Sequence, residues 1–249
     1  MTVDRVAIVT GSGSGIGRGI ASHLVKLGYK VAIQDLQAER VAETIALIDP
    51  QSKQTIGVVG DVSNQEDVTN CVNKVIAQWG RVDLLVNNAG FCQIKPIMEI
   101  SRDEITRMFN VHVMGTFLFI QSCVPFMKQQ KFGRIVNIVS ALGSGASEFT
   151  SHYQAAKAAQ HSMGKSAAIS FAKYGITSNS VSPSTVESNL FYENEKNFLK
   201  YMGHGAKAEL ERRAASKNTE AVTTMDIARA VAFLAEPSSS QINGQVLGI

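Results

Sequence analysis

Ser140, Tyr153 and Lys157 are the residues of this chain whose types and spacing best suit proton transfer. Tyr153 and Lys157 are i and i+4, so in a helix both side chains lie on one face, one turn apart. A lysine ammonium at that distance favours the phenolate and lowers the pKa of a tyrosine from about 10 towards neutrality. Such a phenol can pass a proton to or from an alcohol or carbonyl oxygen, and Ser140 could hydrogen-bond the same oxygen. The pair alone does not specify this chemistry, because tyrosine and lysine often meet at this spacing on solvated helices.

The segments that must position these residues alternate between strand and helix patterns. Apolar runs typical of buried strands occur at 6–9, 31–33, 55–61, 82–86, 134–140, 176–181 and 244–249. Helical patterns lie between them at 16–27, 41–48, 67–79, 103–130 with a break near Asn110, 151–173 and 224–235. This alternation predicts an α/β fold, a single Rossmann-type doubly wound parallel sheet of about seven strands with helices on both faces. Residues 1–249 are predicted to form one domain, with a flexible substrate flap at about 187–218.

Polar and glycine residues follow six of the predicted strands. In open parallel sheets, ligands bind beyond the carboxyl ends of the strands. The residues at those ends are Gly11 to Gly17, Asp35, Asp61, Asn88, Ser140 and Pro183. The sequence therefore predicts one crevice in which all of them meet.

The turn after the first strand reads T-G-S-G-S-G-I-G at 10–17, which departs from the strict G-x-G-x-x-G pattern. Glycines at 11, 15 and 17 allow a sharp turn and let backbone N–H groups at a helix N-terminus approach a pyrophosphate. The alternative is a glycine-rich turn that binds nothing.

Asp35 follows Gly17 by 18 positions, close to the offset of about 20 expected for the acid that binds the adenosine ribose. Its carboxylate would repel a 2′-phosphate, and Ser14 and Leu36 offer no cation to receive one. The sequence therefore favours NAD over NADP, with Asp61 and Val62 flanking the adenine and 87–90 lining the cofactor site. The alternative is that Asp35 only caps the following helix.

Composition and charge exclude several other classes of function. The formal charge is +3 without a Lys/Arg run, which argues against nucleic acid as a partner. The cysteines at 71, 92 and 123 have neither disulfide nor zinc spacing and are predicted to be buried free thiols, and the histidines show no metal spacing. No signal-peptide pattern and no segment of membrane-spanning length is recognised, so a cytoplasmic protein without membrane contact is expected.

With these motifs in order, the chain resembles the classical short-chain dehydrogenase/reductase family over essentially its whole length. The resemblance rests on T-G-x-x-x-G-I-G at 10–17, Asp35, Asp61-Val62, N-N-A-G at 87–90, Asn110, Ser140, Y-x-x-x-K at 153–157 and Pro183. Two departures are Ser184, where the family commonly has glycine, and the end at Ile249, where relatives commonly continue.

The resemblance implies a role for each matching residue. Tyr153 would be the general acid/base, and Lys157 would lower its pKa and bind the nicotinamide ribose. Ser140 would orient the substrate oxygen, and Asn110 would hold a water that links Lys157 to solvent. The implied cofactor-binding residues are Gly11, Ser14, Gly15, Ile16, Gly17, Asp35, Leu36, Asp61, Val62, Asn88, Ala89, Gly90, Tyr153, Lys157, Pro183, Val186 and Ser188.

The predicted function is hydride transfer between NAD and a secondary alcohol or ketone. The loop before Tyr153 is similar to that of the acetoin/diacetyl reductase and meso-2,3-butanediol dehydrogenase branch, which implies a small diol, α-hydroxyketone or polyol. The expected substrate wall contains Ser140, Leu142, Glu148, Phe149 and Tyr153. Alternatives are a 3-oxoacyl-type reductase and a non-catalytic NAD-binding sensor or scaffold. His152 is expected to be a surface or pocket-wall residue, since adjacent helix positions point different ways.

The resemblance also implies a homotetramer packed through the helices at 103–130 and 151–173.

Overall fold

A seven-stranded parallel sheet forms the centre of the molecule. The computed structural model describes residues 5–144, 147–187, 189–217 and 222–249. The strands are β1 (Val6–Thr10), β2 (Lys30–Asp35), β3 (Thr55–Val59), β4 (Leu84–Asn87), β5 (Gly133–Ile138), β6 (Ile176–Ser182) and β7 (Val246–Gly248). Their order is β3-β2-β1-β4-β5-β6-β7, and every neighbouring pair is parallel. The predicted fold class is confirmed.

Helices cover both faces of this sheet. They are α1 (Gly15–Lys26), α2 (Ala38–Ile48), α3 (Gln65–Trp79), α4 (Arg102–Phe109), α5 (Gly115–Gln130), α6 (Ser151–Phe171), α7 (Asn189–Tyr192), α8 (Glu195–Met202), α9 (Ala206–Lys217) and α10 (Thr224–Ala235). Apolar residues of α1, α2 and α10 form one core with one face of the sheet, and those of α3, α5 and α6 form a second core on the other. Cys71 and Cys123 are buried and Cys92 is half-buried, all as free thiols.

The break predicted near Asn110 is a π-helical segment, Asn110–Met114, between α4 and α5. Together they form a continuous helical run of 29 residues, Arg102–Gln130, in which an 18-residue window has a mean hydropathy of 1.3. Its length and composition would suit a membrane span, so the expectation that no segment reaches that length was wrong. Apolar side chains of α5 such as Phe119, Cys123 and Met127 are buried beneath the sheet. Core packing therefore accounts for its hydropathy.

The region predicted as a substrate flap contains the short helices α7, α8 and α9. Phe198 and Ala206 are buried in a small apolar cluster, which includes Ile94 and the partly buried Phe149 and Phe191. The aromatic residues of this region thus form a packing core of their own beside the sheet. Its flexibility stays a prediction.

Candidate active site

A cavity of about 630 Å³ lies beyond the carboxyl ends of the strands. All six strand ends named from the sequence contribute to its wall, as the topology of a parallel sheet requires. The predicted site residues that line it are Gly11, Ser14, Gly15, Ile16, Gly17, Asp35, Leu36, Asp61, Val62, Asn88, Ala89, Gly90, Asn110, Ser140, Leu142, Tyr153, Lys157, Pro183 and Val186. Ser188 lies outside the described residues.

The glycine turn is built by close backbone approaches that larger residues would prevent. Gly11 has a φ of 62°, and a Cβ placed on it would lie 2.7 Å from the Cα of Ala89. A Cβ on Gly17 would collide with the carbonyl oxygen of Gly11. Asn88 fixes the turn, because its Nδ2 donates to the carbonyl oxygens of Thr10 and Gly11 at 2.8 and 3.1 Å.

The start of α1 lies at this turn and suits an anion. Ser14 at its N-cap makes no side-chain hydrogen bond to the helix, and the first turn contains no acidic residue. The first backbone N–H groups of the helix and the positive end of its dipole therefore both favour a negatively charged group in the cavity. A turn of this shape fits the pyrophosphate of a dinucleotide.

Asp35 lies at the end of β2 and is 9% exposed. Its Oδ2 accepts from the backbone nitrogen of Gly13 at 3.0 Å, and its Oδ1 accepts from that of Gln37 at 3.1 Å. The carboxylate therefore joins the glycine turn to the start of α2, and it also lines the cavity. Arg40, which was missed in the sequence, lines the cavity beside it and pairs with Glu193 at 3.5 Å. Arg40 lies in the first turn of α2, so the start of this helix places a cation near the end of β2.

Ser140, Tyr153 and Lys157 meet at the other end of the cavity. Ser140 and Tyr153 share a side-chain hydrogen bond. Lys157 Nζ lies 5.8 Å from the centre of the Tyr153 ring and donates to the carbonyl oxygen of Ile138 at 2.7 Å. The i and i+4 spacing on α6 thus directs both side chains to one point, next to the end of β5.

Burial dominates the pKa values of this pair. It raises the pKa of Tyr153 above its usual value, an effect that the hydrogen bond with Ser140 opposes. It lowers the pKa of Lys157 to about 7. Removing each group from water disfavours its charged form, so burial opposes the lowering of the tyrosine pKa that is expected from Lys157.

His112 was also missed, because it lies inside the helical run where no motif marks it. It belongs to the π-helical segment, is 1% exposed and lines the cavity. Its ring meets that of Tyr153 edge-on, with centroids 5.5 Å apart. Its Nε2 lies 2.8 Å from the carbonyl oxygen of Phe91. A Cβ on Gly90 would collide with the His112 ring, so the glycine of the N-N-A-G motif leaves room for this histidine.

Asn110 is the first residue of the π-helical segment, and its exposed side chain lies at the cavity. The proton-relay role that the family resemblance implies for it stays a prediction.

The wall of the cavity near Tyr153 differs in part from the predicted one. Leu142 lines it, whereas Glu148 is exposed and Phe149 stacks on Tyr201 in the flap cluster, 6.2 Å between centroids. Neither Glu148 nor Phe149 lines the cavity. Residues missed in the sequence line it, namely Phe91, Cys92, Ile94, Asn194 and Arg213, together with the flap residues Phe191 and Phe198. Ser184 also lines the cavity.

His152 neither lies on the surface nor lines the cavity, so the expectation of a surface or pocket-wall residue was wrong. It is 1% exposed, and its Nε2 lies 3.0 Å from Oε1 of Gln93. This buried pairing explains the histidine without a role as an acid or base.

The fold and this cavity define an oxidoreductase that binds a nicotinamide dinucleotide. The family model described as "Enoyl-(Acyl carrier protein) reductase" matches residues 11–249. The chain belongs to the short-chain dehydrogenase/reductase family, whose members act on CH–OH and C=O groups.

Several curated relatives match nearly the whole chain. A diacetyl reductase [(S)-acetoin forming] of Staphylococcus epidermidis is 30% identical over 98% of this chain and 96% of its own. An L-2,3-butanediol dehydrogenase of Corynebacterium glutamicum has the same identity and coverage. A 3-oxoacyl-[acyl-carrier-protein] reductase of Staphylococcus epidermidis is 30% identical over 99% of this chain and 98% of its own.

Two solved structures share the fold closely. A levodione reductase superposes with a TM-score of 0.92 at 26% identity, covering 100% of this chain and 97% of its own. A variant of the actinorhodin polyketide ketoreductase with NADPH superposes with a TM-score of 0.94 at 26% identity, covering 99% and 95%.

Proposed function

We propose that this enzyme interconverts a small secondary alcohol and its ketone with NAD(H) as cofactor. The observation that carries the proposal is the meeting of Ser140, Tyr153 and Lys157 in the same cavity as Asp35 and the glycine turn. Asp35 supports NAD in particular, because its buried carboxylate would lie where NADP carries a phosphate. The chemistry that the nicotinamide supplies when bound is the gain or loss of a hydride.

The residues of this chain move and hold the proton. In alcohol oxidation, Tyr153 Oη accepts the hydroxyl proton, and in ketone reduction it returns that proton to the carbonyl oxygen. Ser140, hydrogen-bonded to Tyr153, holds the same substrate oxygen. Lys157 stabilises the phenolate when it is charged. The apolar side chains of Phe91, Ile94 and Phe198 keep water away from the reacting carbon.

The substrate class follows from the relatives. The diacetyl reductase and the butanediol dehydrogenase support a diol, an α-hydroxyketone or a polyol as substrate. The 3-oxoacyl reductase relative and the ketoreductase with NADPH support the alternative, a 3-oxoacyl-type reductase. A non-catalytic NAD-binding sensor is disfavoured, because such a protein has no use for a buried tyrosine beside a lysine and a serine.

Cofactor preference and turnover test the proposal together. We expect NADH to raise the melting temperature more than NADPH at equal concentration, and absorbance at the nicotinamide band to report reduction of acetoin or diacetyl. Tyr153→Phe should keep NADH binding and lose turnover by roughly 10²-fold or more, the contribution of a general acid. Phe149→Leu, a change in the flap cluster outside the cavity, is the control. Near-native turnover in Tyr153→Phe would refute the assignment, and reduction of 3-oxoacyl thioesters alone would favour the alternative.

We further propose a cytoplasmic homotetramer. Exposed apolar side chains on the predicted interface helices support the assembly, namely Ile105, Met114, Phe117 and Ile169. Fractionation of the source cells tests the location.

A further inference from the structure

A buried chain of hydrogen bonds runs from Lys157 away from the cavity. Lys157 Nζ donates to Gln160 Oε1 at 3.1 Å, and Gln160 Nε2 donates to Thr116 Oγ1 at 2.9 Å. Thr116 Oγ1 in turn donates to the carbonyl oxygen of His112 at 2.8 Å. Gln160 is 1% exposed, Thr116 3% and Lys157 4%. A polar side chain buried to this degree is costly unless it is paired, and Gln160 is paired at both ends of its amide.

The far end of the chain sets its direction. The carbonyl of His112 can only accept a hydrogen bond, so the Thr116 hydroxyl donates its single proton to it. The same hydroxyl can therefore only accept from Gln160. The nitrogen of the Gln160 amide therefore faces Thr116, and its oxygen faces Lys157. The lysine thus meets a fixed acceptor that is anchored to the π-helical segment.

We propose that Gln160 is a positioning residue that keeps Lys157 charged and holds its ammonium group at the reaction site. Gln160 does not line the cavity, so it acts through Lys157. The proposal rests on the proposed function, in which Lys157 assists Tyr153.

Lys157 has few other groups that favour its charged form. Around it are Tyr153 on α6, the Cys92 thiol from the loop after β4 and His112 from the π-helical segment, while β5 contributes the carbonyl of Ile138. Burial lowers the pKa of Lys157 to about 7, and no carboxylate is among the groups that offset this effect in the described part of the chain. Gln160 and the carbonyl of Ile138 both accept hydrogen bonds from the ammonium group, so each stabilises the charged lysine near neutral pH.

Two substitutions of Gln160 should shift the pKa of Lys157 in opposite directions. Gln160→Met removes the acceptor at similar volume, so the charged form is less stable and the pKa of Lys157 falls. Gln160→Glu replaces the amide with a carboxylate, so the pKa of Lys157 rises. We expect each shift to be about one pH unit, the size of one hydrogen bond to a charged group.

Trace acetylation with acetic anhydride, quantified at Lys157 by mass spectrometry as a function of pH, measures this pKa without turnover. The pH profile of kcat/KM for ketone reduction gives a second readout. Because activity that needs charged Lys157 is lost as pH rises through its pKa, the alkaline limit should move down in Gln160→Met and up in Gln160→Glu. Ser166→Ala, an exposed change on α6, should shift neither readout.

Opposite shifts of the Lys157 pKa in the two variants support the proposal. Unchanged pKa values, or shifts of the same sign in both variants, overturn it, because they would indicate an effect on packing. If Gln160→Met does not fold, the sign of the shift in Gln160→Glu decides. Opposite labelling shifts in a protein without turnover would support the role of Gln160 and refute the proposed function, so the two failures are distinguishable.

Discussion

The Asp35 carboxylate accepts hydrogen bonds from the backbone amides of Gly13 and Gln37 and also lines the cavity. A carboxylate accepts up to about four hydrogen bonds, so these two leave lone pairs for ribose hydroxyls. The caps and the predicted ligand role are therefore compatible, and the alternative in which Asp35 only caps a helix is not required. Arg40 lines the same cavity and pairs with Glu193.

Asp35→Asn tests this arrangement at the scale of one residue. With the negative charge removed and Arg40 left in place, a 2′-phosphate should be better accepted, and the ratio of NADH to NADPH affinity should fall roughly tenfold. Fluorescence titration with both cofactors measures the ratio. Asp103→Asn, a neutralised carboxylate elsewhere on the cavity wall, is the matched control. An unchanged ratio in Asp35→Asn would mean that another residue sets the cofactor preference.

At the scale of elements, one buried carboxylate on α9 stabilises this helix and the residues next to it. Glu209 is 1% exposed, accepts from Arg212 and Arg213 at 2.6 to 2.8 Å, and lies 2.8 Å from Nε2 of His204. These partners lower the pKa of Glu209 to about 2, so it is ionised throughout the physiological range. Arg213 extends from this cluster to the cavity wall.

Glu209→Gln should therefore loosen α9. The change leaves two arginines without their carboxylate, and we expect the free energy of unfolding to fall by roughly 2 kcal/mol, because the arginines are partly solvated. Urea denaturation measures this, and Glu211→Gln, an exposed acid on the same helix, should be nearly neutral. If Arg213 shapes the substrate pocket, KM should rise in Glu209→Gln with little change in kcat. Equal stability of the two variants would show that the cluster does not hold the helix.

At the scale of the whole molecule, apolar side chains on α5 and α6 remain exposed. Phe117 is 43% exposed and Ile169 is 83% exposed. Large exposed apolar side chains on the two predicted interface helices are typical of a buried contact between subunits. Light scattering should give a mass of four times the 26.8 kDa chain. Phe117→Lys should reduce it, while Leu47→Lys on α2, at a site 63% exposed, should not. A monomeric wild-type chain would contradict the assembly.

The sequence by itself determined the sheet, the order of its elements and most of the cavity. Strand and helix periods are local, and strand ends in a parallel sheet meet at one edge, so residues such as Gly11, Asp35 and Tyr153 could be placed without coordinates. The glycine turn could be recognised because its backbone geometry tolerates few other residues.

Tertiary structure decided what depends on contacts between distant segments. Arg40, His112 and Gln160 carry no motif. Packing of α2 and the π-helical segment places Arg40 and His112 at the cavity wall, and Gln160 on α6 contacts Lys157 behind it. Phe149 packs against Tyr201 in the flap cluster and does not line the cavity, a contact between distant segments that the loop sequence does not contain. The pKa values of Tyr153 and Lys157 likewise follow from burial, a property of the folded chain that their i and i+4 spacing does not contain.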